Sequence, residues 1–321
     1  TAILQQRDSG KLSLDDPLTA HLPEFSDVRV LTGRLEDVTL RRLLTHRSGL
    51  VTETPLPTWS ASEFPALEAI LAALPDTEIV IPQDSAFKYS NLAFGLLGEV
   101  IARLSGRPYF EYMRSQILQP LGLESTAFEL NDQQRERFAV GYSPSSYEDD
   151  LHPAPEVPLN GLSACGGLYS SVRDLSRWIG LQFQTGTDSD DNAQILAGRT
   201  IEEFHRPQYL EPDWSMGYCL GWRAQRSGDR VYHGHGGGIY GFASQILFSK
   251  PHEMGVICLA NVWPQPPLPA LASGILDVLV ASGEESQPAR RPIRPTPPEL
   301  RELLGSYAAG PGIGLNVEYR G

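Results

Sequence analysis

The sequence predicts a mixed fold of helices and strands, and three observations carry that expectation. Leu92 to Leu104 (LAFGLLGEVIARL) is apolar enough for a buried helix, and Gly106 followed by Pro108 stops it. Met216 to Arg223, Gly241 to Ser249 and Met254 to Asn261 read as strands, the last two joined by a hairpin turn at Lys250-Pro251-His252-Glu253. Leu268 to Ala281 is a second apolar helix, placed to lie across the sheet that those strands form. A chain of 321 residues holds one large domain with a substantial core, or one such domain and a small one.

Taken in order, the chain opens on Thr1 to Gln6, which reads as the middle of a helix without a cap. Leu40 to Leu44 is a short helical run. It ends in a turn, His46 to Gly49, in which Ser48-Gly49 terminates the helix and His46 caps or packs. Tyr109 to Leu118 is a further helix, closed by Pro120-Leu121-Gly122. Asn131 to Pro158 is polar, with an acidic patch at Glu148-Asp149-Asp150, and reads as a long surface excursion beside a cleft. Gly166-Gly167 makes a tight turn into a helix whose Leu175 and Trp178 belong to the core. Thr185 to Asn192 has an acidic run but lacks the glycine and distal glutamate of a calcium loop, so it reads as a solvated loop. Ser282 to Pro298, rich in Pro, Arg and Glu, is a linker; Glu299 to Gly321 restarts with a short helix and a strand-like run.

Composition excludes several classes. A formal net charge of −13 argues against a nucleic-acid binder and against an anionic membrane surface. No apolar run approaches the length of a membrane span. Cys165, Cys219 and Cys258 are odd in number and have no CxxC spacing, so they supply neither a zinc site nor a disulfide framework.

Chemistry concentrates at Tyr89-Ser90-Asn91, a polar triplet at the mouth of the buried helix. Held rigidly from behind, it presents a phenol and an amide to a cleft. A tyrosine has a free pKa of about 10 and needs a neighbouring cation to serve as a general base. An asparagine offers donors and an acceptor without titrating.

Pro82 to Gly98 (PQDSAFKYSNLAFGLLG) resembles the Tyr-x-Asn motif of the serine β-lactamase and D-alanyl-D-alanine carboxypeptidase superfamily, in the form found in class C β-lactamases and related esterases. Leu43 to Leu50 (LLTHRSGL), Cys165 to Trp178 (CGGLYSSVRDLSRW) and Gly234 to Phe242 (GHGGGIYGF) resemble the same family and occur in its order. The resemblance implies an α/β fold of the β-lactamase/transpeptidase type: a mainly antiparallel sheet flanked by helices, with a mostly helical lobe. In that family Lys11 to Pro17 would trail the helix that carries a Ser-x-x-Lys nucleophile. The expectation is therefore a catalytic domain over 1–281 that lacks its N-terminal part, a linker over 282–298, and the start of a truncated small β domain over 299–321. The string Ser85-Ala86-Phe87-Lys88 matches Ser-x-x-Lys literally. It lies in a loop after Pro82, however, and does not begin a helix on which serine and lysine share a face.

In the same family a Lys/His-x-Gly triplet lines the cleft, and His235-Gly236-Gly237 matches its His form. The resemblance makes Tyr89, Asn91, His235 and Gly238 the catalytic set, with Ser90, Gly236 and Gly237 binding substrate. Tyr89 would be the base, Asn91 would orient substrate and lysine, and His235 would hold positive or hydrogen-bonding character opposite Tyr89. The backbone N–H of Gly238 would join the oxyanion hole. Glycines suit a strand with which a substrate pairs edge-on. The same residues admit blander readings. Gly236 to Gly241 matches G-x-G-x-x-G, but the strand-like FASQILF that follows argues against a dinucleotide site. His233 and His235 share a strand face with no third metal ligand nearby in sequence.

The implied function is acyl-enzyme hydrolysis of an amide, ester or lactam by a serine hydrolase, with no metal or organic cofactor. The alternatives are an esterase or D-amino-acid peptidase on the same scaffold, or a non-catalytic binding protein. The expected partner is a small-molecule or peptide substrate, with no nucleic acid and no obligatory membrane contact; the resemblance favours a periplasmic or secreted location. Without the nucleophile the 321 residues would be inactive, and the missing strands would leave an unpaired sheet edge.

Overall fold

Helix α1 (Ala2–Asp8) buries Ile3 and Leu4, and α2 (Leu40–Leu44) buries Leu40 and Leu43. Thr39 caps α2 by accepting from the Arg42 amide. Both short helices lie against α3 (Asn91–Ser105), whose Leu92, Ala93, Leu96 and Val100 are fully buried. A helix this apolar belongs inside, and each buried leucine contributes about 2 kcal/mol relative to exposure. The computed structural model that shows this describes residues 1–144, 150–184 and 195–286, and the strands Gly305–Gly310 and Ile313–Val317. These residues form two units, Thr1–Leu276 and Asp277–Gly321.

The first unit also contains α4 (Val172–Gln182), capped by Ser171, and a sheet of β1 (Tyr209–Leu210), β2 (Met216–Tyr218), β3 (Arg223–Ser227), β4 (Arg230–Ile239), β5 (Phe242–Ser249) and β6 (Met254–Ala260). Each strand pairs antiparallel with the next, so the order in space is the order in the chain. β6 has one strand neighbour among the described residues. Pleating divides β4 between two faces. His233 points toward α4: it stacks on Phe248, which in turn meets Phe183 just beyond that helix. Gly234, Gly236 and Gly238 face the other way, toward Trp263 and the start of α5 (Leu268–Ser286). That second face carries a cavity of about 370 Å³ lined by Arg223, Gln225, Gln245, Trp263 and Leu268.

An antiparallel sheet with flanking helices is the architecture the resemblance implies. Several boundaries differ from the sequence reading. Met216 to Arg223 is two strands, because Gly221 at φ +99 reverses the chain between them. In that reversal Cys219 is fully buried, its thiol donating to the His205 carbonyl at 3.0 Å. The excursion at 131–158 is not bare loop. It holds a capped turn of helix, Asp132–Arg135, and a small ladder between Tyr142–Pro144 and Leu151–Pro153. The glycines at 166–167 follow a helical turn, Ser163–Gly166, rather than opening one directly. α4 buries Asp174, Ile179, Leu181 and Gln182; Asp174 accepts from the Ser125 amide and the Thr126 hydroxyl, and Trp178 is partly buried against the core.

The first residues of the expected linker, Ser282–Ser286, are the last residues of α5. The loop expected over 185–192 and the helix expected after Glu299 lie outside the described residues. In the second unit Gly305–Gly310 and Ile313–Val317 pair as an antiparallel hairpin.

Candidate active site

Tyr89-Ser90-Asn91 is stitched to the neighbouring segment by its backbone. The Asn91 amide donates to the Thr52 carbonyl at 2.9 Å, and the Thr52 hydroxyl donates to the Tyr89 carbonyl at 3.0 Å. Ser90 is fully buried. Its hydroxyl donates to the Val51 carbonyl at 2.7 Å and accepts from the Ala93 amide at 3.0 Å, and its own amide donates to His46 Nδ1 at 3.1 Å. Ser90 is therefore the N-cap of α3 rather than a substrate contact, because its amide and hydroxyl are already committed inside the protein. His46 sits in the left-handed region at φ +55, wedged among Phe87, Tyr89, Phe94 and Tyr218. Burial, with smaller pushes from His235 and Arg223, brings its pKa down to about 3, so it stays neutral.

The Tyr89 ring lies 4.2 Å from His46 and 6.4 Å from His235, centroid to centroid. Burial raises its pKa above the ordinary value; Cys165 and Glu53 add to the rise and Arg223 opposes it. Its hydroxyl makes no hydrogen bond among the described residues. The literal Ser-x-x-Lys string does not form a pair. The Ser85 hydroxyl donates to the Pro82 carbonyl at 2.6 Å, whereas Lys88 Nζ donates to the Thr52 hydroxyl at 2.7 Å.

On the sheet side, β3 pairs with β4 only as far as Arg223–Gly234, while β5 pairs with it through Ile239. His235 to Ile239 thus has one strand edge without a strand partner among the described residues. Tyr240-Gly241 is a two-residue hairpin turn, so the flanking pair Ile239–Phe242 is the hydrogen-bonded one. Alternation then turns the N–H of Gly238 away from β5, toward the unpaired edge. The protein's own packing also crowds these glycines, most firmly at Gly238, where the neighbour is an indole ring and not the end of a flexible side chain. A Cβ at Gly237 would lie 2.5 Å from the Ser244 hydroxyl, and one at Gly238 would lie 2.2 Å from Trp263 Nε1. Gly236 meets the Gln245 side chain in the same way, at 2.8 Å.

His235 has hydrogen-bonding rather than positive character, one of the two that the resemblance implies. Its Nδ1–H donates to the Gly236 carbonyl at 2.7 Å, which leaves Nε2 to accept from the Tyr218 hydroxyl at 3.1 Å. Burial, reinforced by Arg223, lowers its pKa. It is a neutral imidazole tied to Tyr218. His233 turns into the core instead, bonded to the His205 carbonyl at 3.0 Å. Among the described residues no cluster of three or more His, Cys, Asp or Glu side chains is placed to hold a metal.

Four further side chains, Glu53, Trp59, Tyr218 and Tyr240, which sequence reasoning missed, join these residues. Glu53 Oε1 accepts from Asn91 Nδ2 at 2.6 Å and from Trp59 Nε1 at 2.9 Å. The Trp59 carbonyl accepts from the Tyr240 hydroxyl at 2.6 Å, which joins this strap to the hairpin turn after β4. The strap reads VTETPLPTWS, with no helical or strand period to mark it. Its one signal is an acidic residue and a tryptophan in an otherwise plain Pro/Thr stretch. Tyr218 was read only as part of a strand.

The family model described as Beta-lactamase matches residues 1–279. Protein flp of Staphylococcus aureus (strain MRSA252) is 26% identical over 264 residues, which is 81% of this chain and 50% of that protein. The chain spans about half the length of the curated relatives it matches. Among solved structures, the octameric penicillin-binding protein homologue from Pyrococcus abyssi aligns with a TM-score of 0.70 at 28% identity, covering 87% of this chain and 63% of that one. The D-amino acid amidase from Ochrobactrum anthropi SV3 aligns with a TM-score of 0.70 at 23% identity, covering 89% and 81%, a likeness of fold.

Proposed function

The chain belongs to the Beta-lactamase family, and from that premise we propose that it forms the site of a serine hydrolase working through an acyl-enzyme. The observation that carries the reading is the unpaired edge of β4, with the Gly238 N–H turned toward it and Tyr89 across the cleft. A substrate laid along that edge gains backbone hydrogen bonds, and its carbonyl oxygen meets the Gly238 N–H as negative charge develops.

The nucleophile is a serine whose lysine partner stands beside Tyr89. Neither is supplied by Ser85 and Lys88, which engage separate partners. The serine oxygen attacks the carbonyl of an amide, ester or lactam as its proton passes to Tyr89. Collapse of the tetrahedral intermediate expels the leaving group, which takes the proton back from Tyr89, and water then hydrolyses the acyl-enzyme. Burial raises a phenol pKa that is already high, so the lysine is the cation that brings it down. His235 holds Tyr218 and the cleft wall in place, and Asn91, its Nδ2 committed to Glu53, offers Oδ1 to a donor.

The test is intact mass and N-terminal sequencing of the natural protein after treatment with a fluorophosphonate or a fluorescent penicillin. Label on the serine of a Ser-x-x-Lys motif outside residues 1–321 supports the enzyme. An unlabelled natural chain that begins at Thr1 overturns it in favour of a non-catalytic binding protein.

A further inference from the structure

We propose that His235 closes half of the open edge of β4, so that the leaving group suited to this site offers no N–H two residues beyond the reacting carbonyl. An ester-capped, carboxyl-ended or cyclic group meets that condition, and a peptide that runs on along the strand does not. The inference rests on the hydrolase reading for its chemistry, but the closed edge is a feature of the strand itself.

The backbone of Gly236 and Gly238 defines the edge. With Ile239–Phe242 a hydrogen-bonded pair, alternation directs Gly237 and His235 toward β5 and Gly236 and Gly238 away from it. β3 pairs with Gly234 and goes no further, so the N–H and C=O of Gly236 and Gly238 meet no strand among the described residues. One of these groups is nevertheless taken. The Gly236 carbonyl accepts from His235 Nδ1 at 2.7 Å, and because a carbonyl cannot donate, Nδ1 carries the proton. The ring is held from its other side by the Tyr218 hydroxyl, which donates to Nε2 at 3.1 Å. Tyr218 is itself buried, packed on His46 and Phe87. A ring fixed in that way stands where a strand neighbour would approach the carbonyl.

Antiparallel pairing decides which part of a substrate meets which group. The residue that accepts from the Gly238 N–H and donates to the Gly238 carbonyl is the one whose carbonyl reacts. The residue two further along the substrate then lies opposite Gly236, on the leaving-group side. There it finds a donor, the Gly236 N–H, but no open acceptor, and Gly236 has no side chain to supply another. A substrate N–H placed there gives up water and gains no partner, whereas an ester, carboxylate or lactam oxygen accepts from Gly236.

The experiment uses the natural protein and N-acetylalanyl esters of lactic acid, in both alanine enantiomers, with the lactoyl carboxyl closed as a methyl ester or as an N-methylamide. The bond cleaved is the same alanyl ester in each, and release of the lactoyl alcohol is followed. The expected ratio of kcat/KM, methyl ester over N-methylamide, is roughly 2- to 10-fold, the worth of one neutral hydrogen bond. In His235→Leu, which uncovers the Gly236 carbonyl, the ratio should fall below one. A wild-type ratio at or below one overturns the inference, as does a ratio that His235→Leu leaves intact. The lock is also read without turnover and without the variant. Long-range ¹H–¹⁵N NMR of the natural protein should find the His235 proton on Nδ1, and a proton on Nε2 overturns the inference. Should the serine label fail, calorimetry with the methyl ester and the N-methylamide of N-acetylalanylalanine still decides the edge. Tighter binding of the methyl ester supports the closed carbonyl whatever the chemistry, and equal binding or a preference for the N-methylamide overturns it.

Discussion

A phenol without a hydrogen bond is free to carry a proton, and among the described residues Tyr89 is in that position. Tyr89→Phe removes one oxygen from an otherwise unchanged ring packed on His46. We expect the melting temperature to hold while turnover of a chromogenic ester by the natural enzyme falls roughly 10²- to 10⁴-fold, the usual worth of a positioned acid–base group. Unchanged turnover would remove Tyr89 from the reaction. At this scale the sequence was readable wherever a motif named its residues and opaque wherever a partner came from far along the chain. Tyr89 and Asn91 are adjacent to a helix start that periodicity marks. Trp59 gains its place from a hydrogen bond with Tyr240, 181 residues away, which no local pattern announces. Ser90 was misread for a related reason: its neighbours face the cleft, and only the positions of Val51 and His46 reveal that it faces inward.

Helix α3 and the strap 51–60 are a single mechanical element joined at Ser90. Ser90→Ala removes the N-cap, expected to cost about 1 kcal/mol. It also leaves the part-buried Val51 carbonyl without its donor, for about 1 kcal/mol more. Denaturant unfolding should show a loss of about 2 kcal/mol, and a loss under 0.5 kcal/mol would mean that the cap is not holding the helix. Long elements with one strong period were legible nearly to the residue: Leu92–Leu104 was read and Asn91–Ser105 is found. Where a turn hides inside an apolar run, the pattern fails. Met216 to Arg223 carries strand composition throughout, and only the positive φ of Gly221 breaks it. An apolar helix from Leu268 is readable from its composition, whereas its start beside the glycine face of β4 and the indole of Trp263 filling the space above Gly238 are not.

At the scale of the whole molecule, buried histidines set the response to acid. Burial holds His46 and His205 down to about 3, against 6.5 for an exposed imidazole. The unfolded chain therefore binds more protons between these values. Stability from this source is complete above pH 6.5 and falls as pH drops toward 3, by up to about 1.4 kcal/mol per pH unit for each histidine. His205→Gln should remove one such increment from the slope of unfolding free energy between pH 6.5 and 5, measured by urea titration; an unaltered slope would show that His205 is not neutral in the fold. The fully buried Cys219 has a further use. Its thiol is locked onto the His205 carbonyl, and its pKa is pushed up to about 12 by burial, so a thiol reagent in solution cannot touch it while the fold is closed. With Cys165 and Cys258 changed to serine, modification of the remaining sulfur becomes a clock. At high reagent its rate should stop rising with concentration and report how many times an hour the reversal between β2 and β3 comes undone. An N-terminal extension or a bound substrate that steadies the molecule would be heard as that clock slowing.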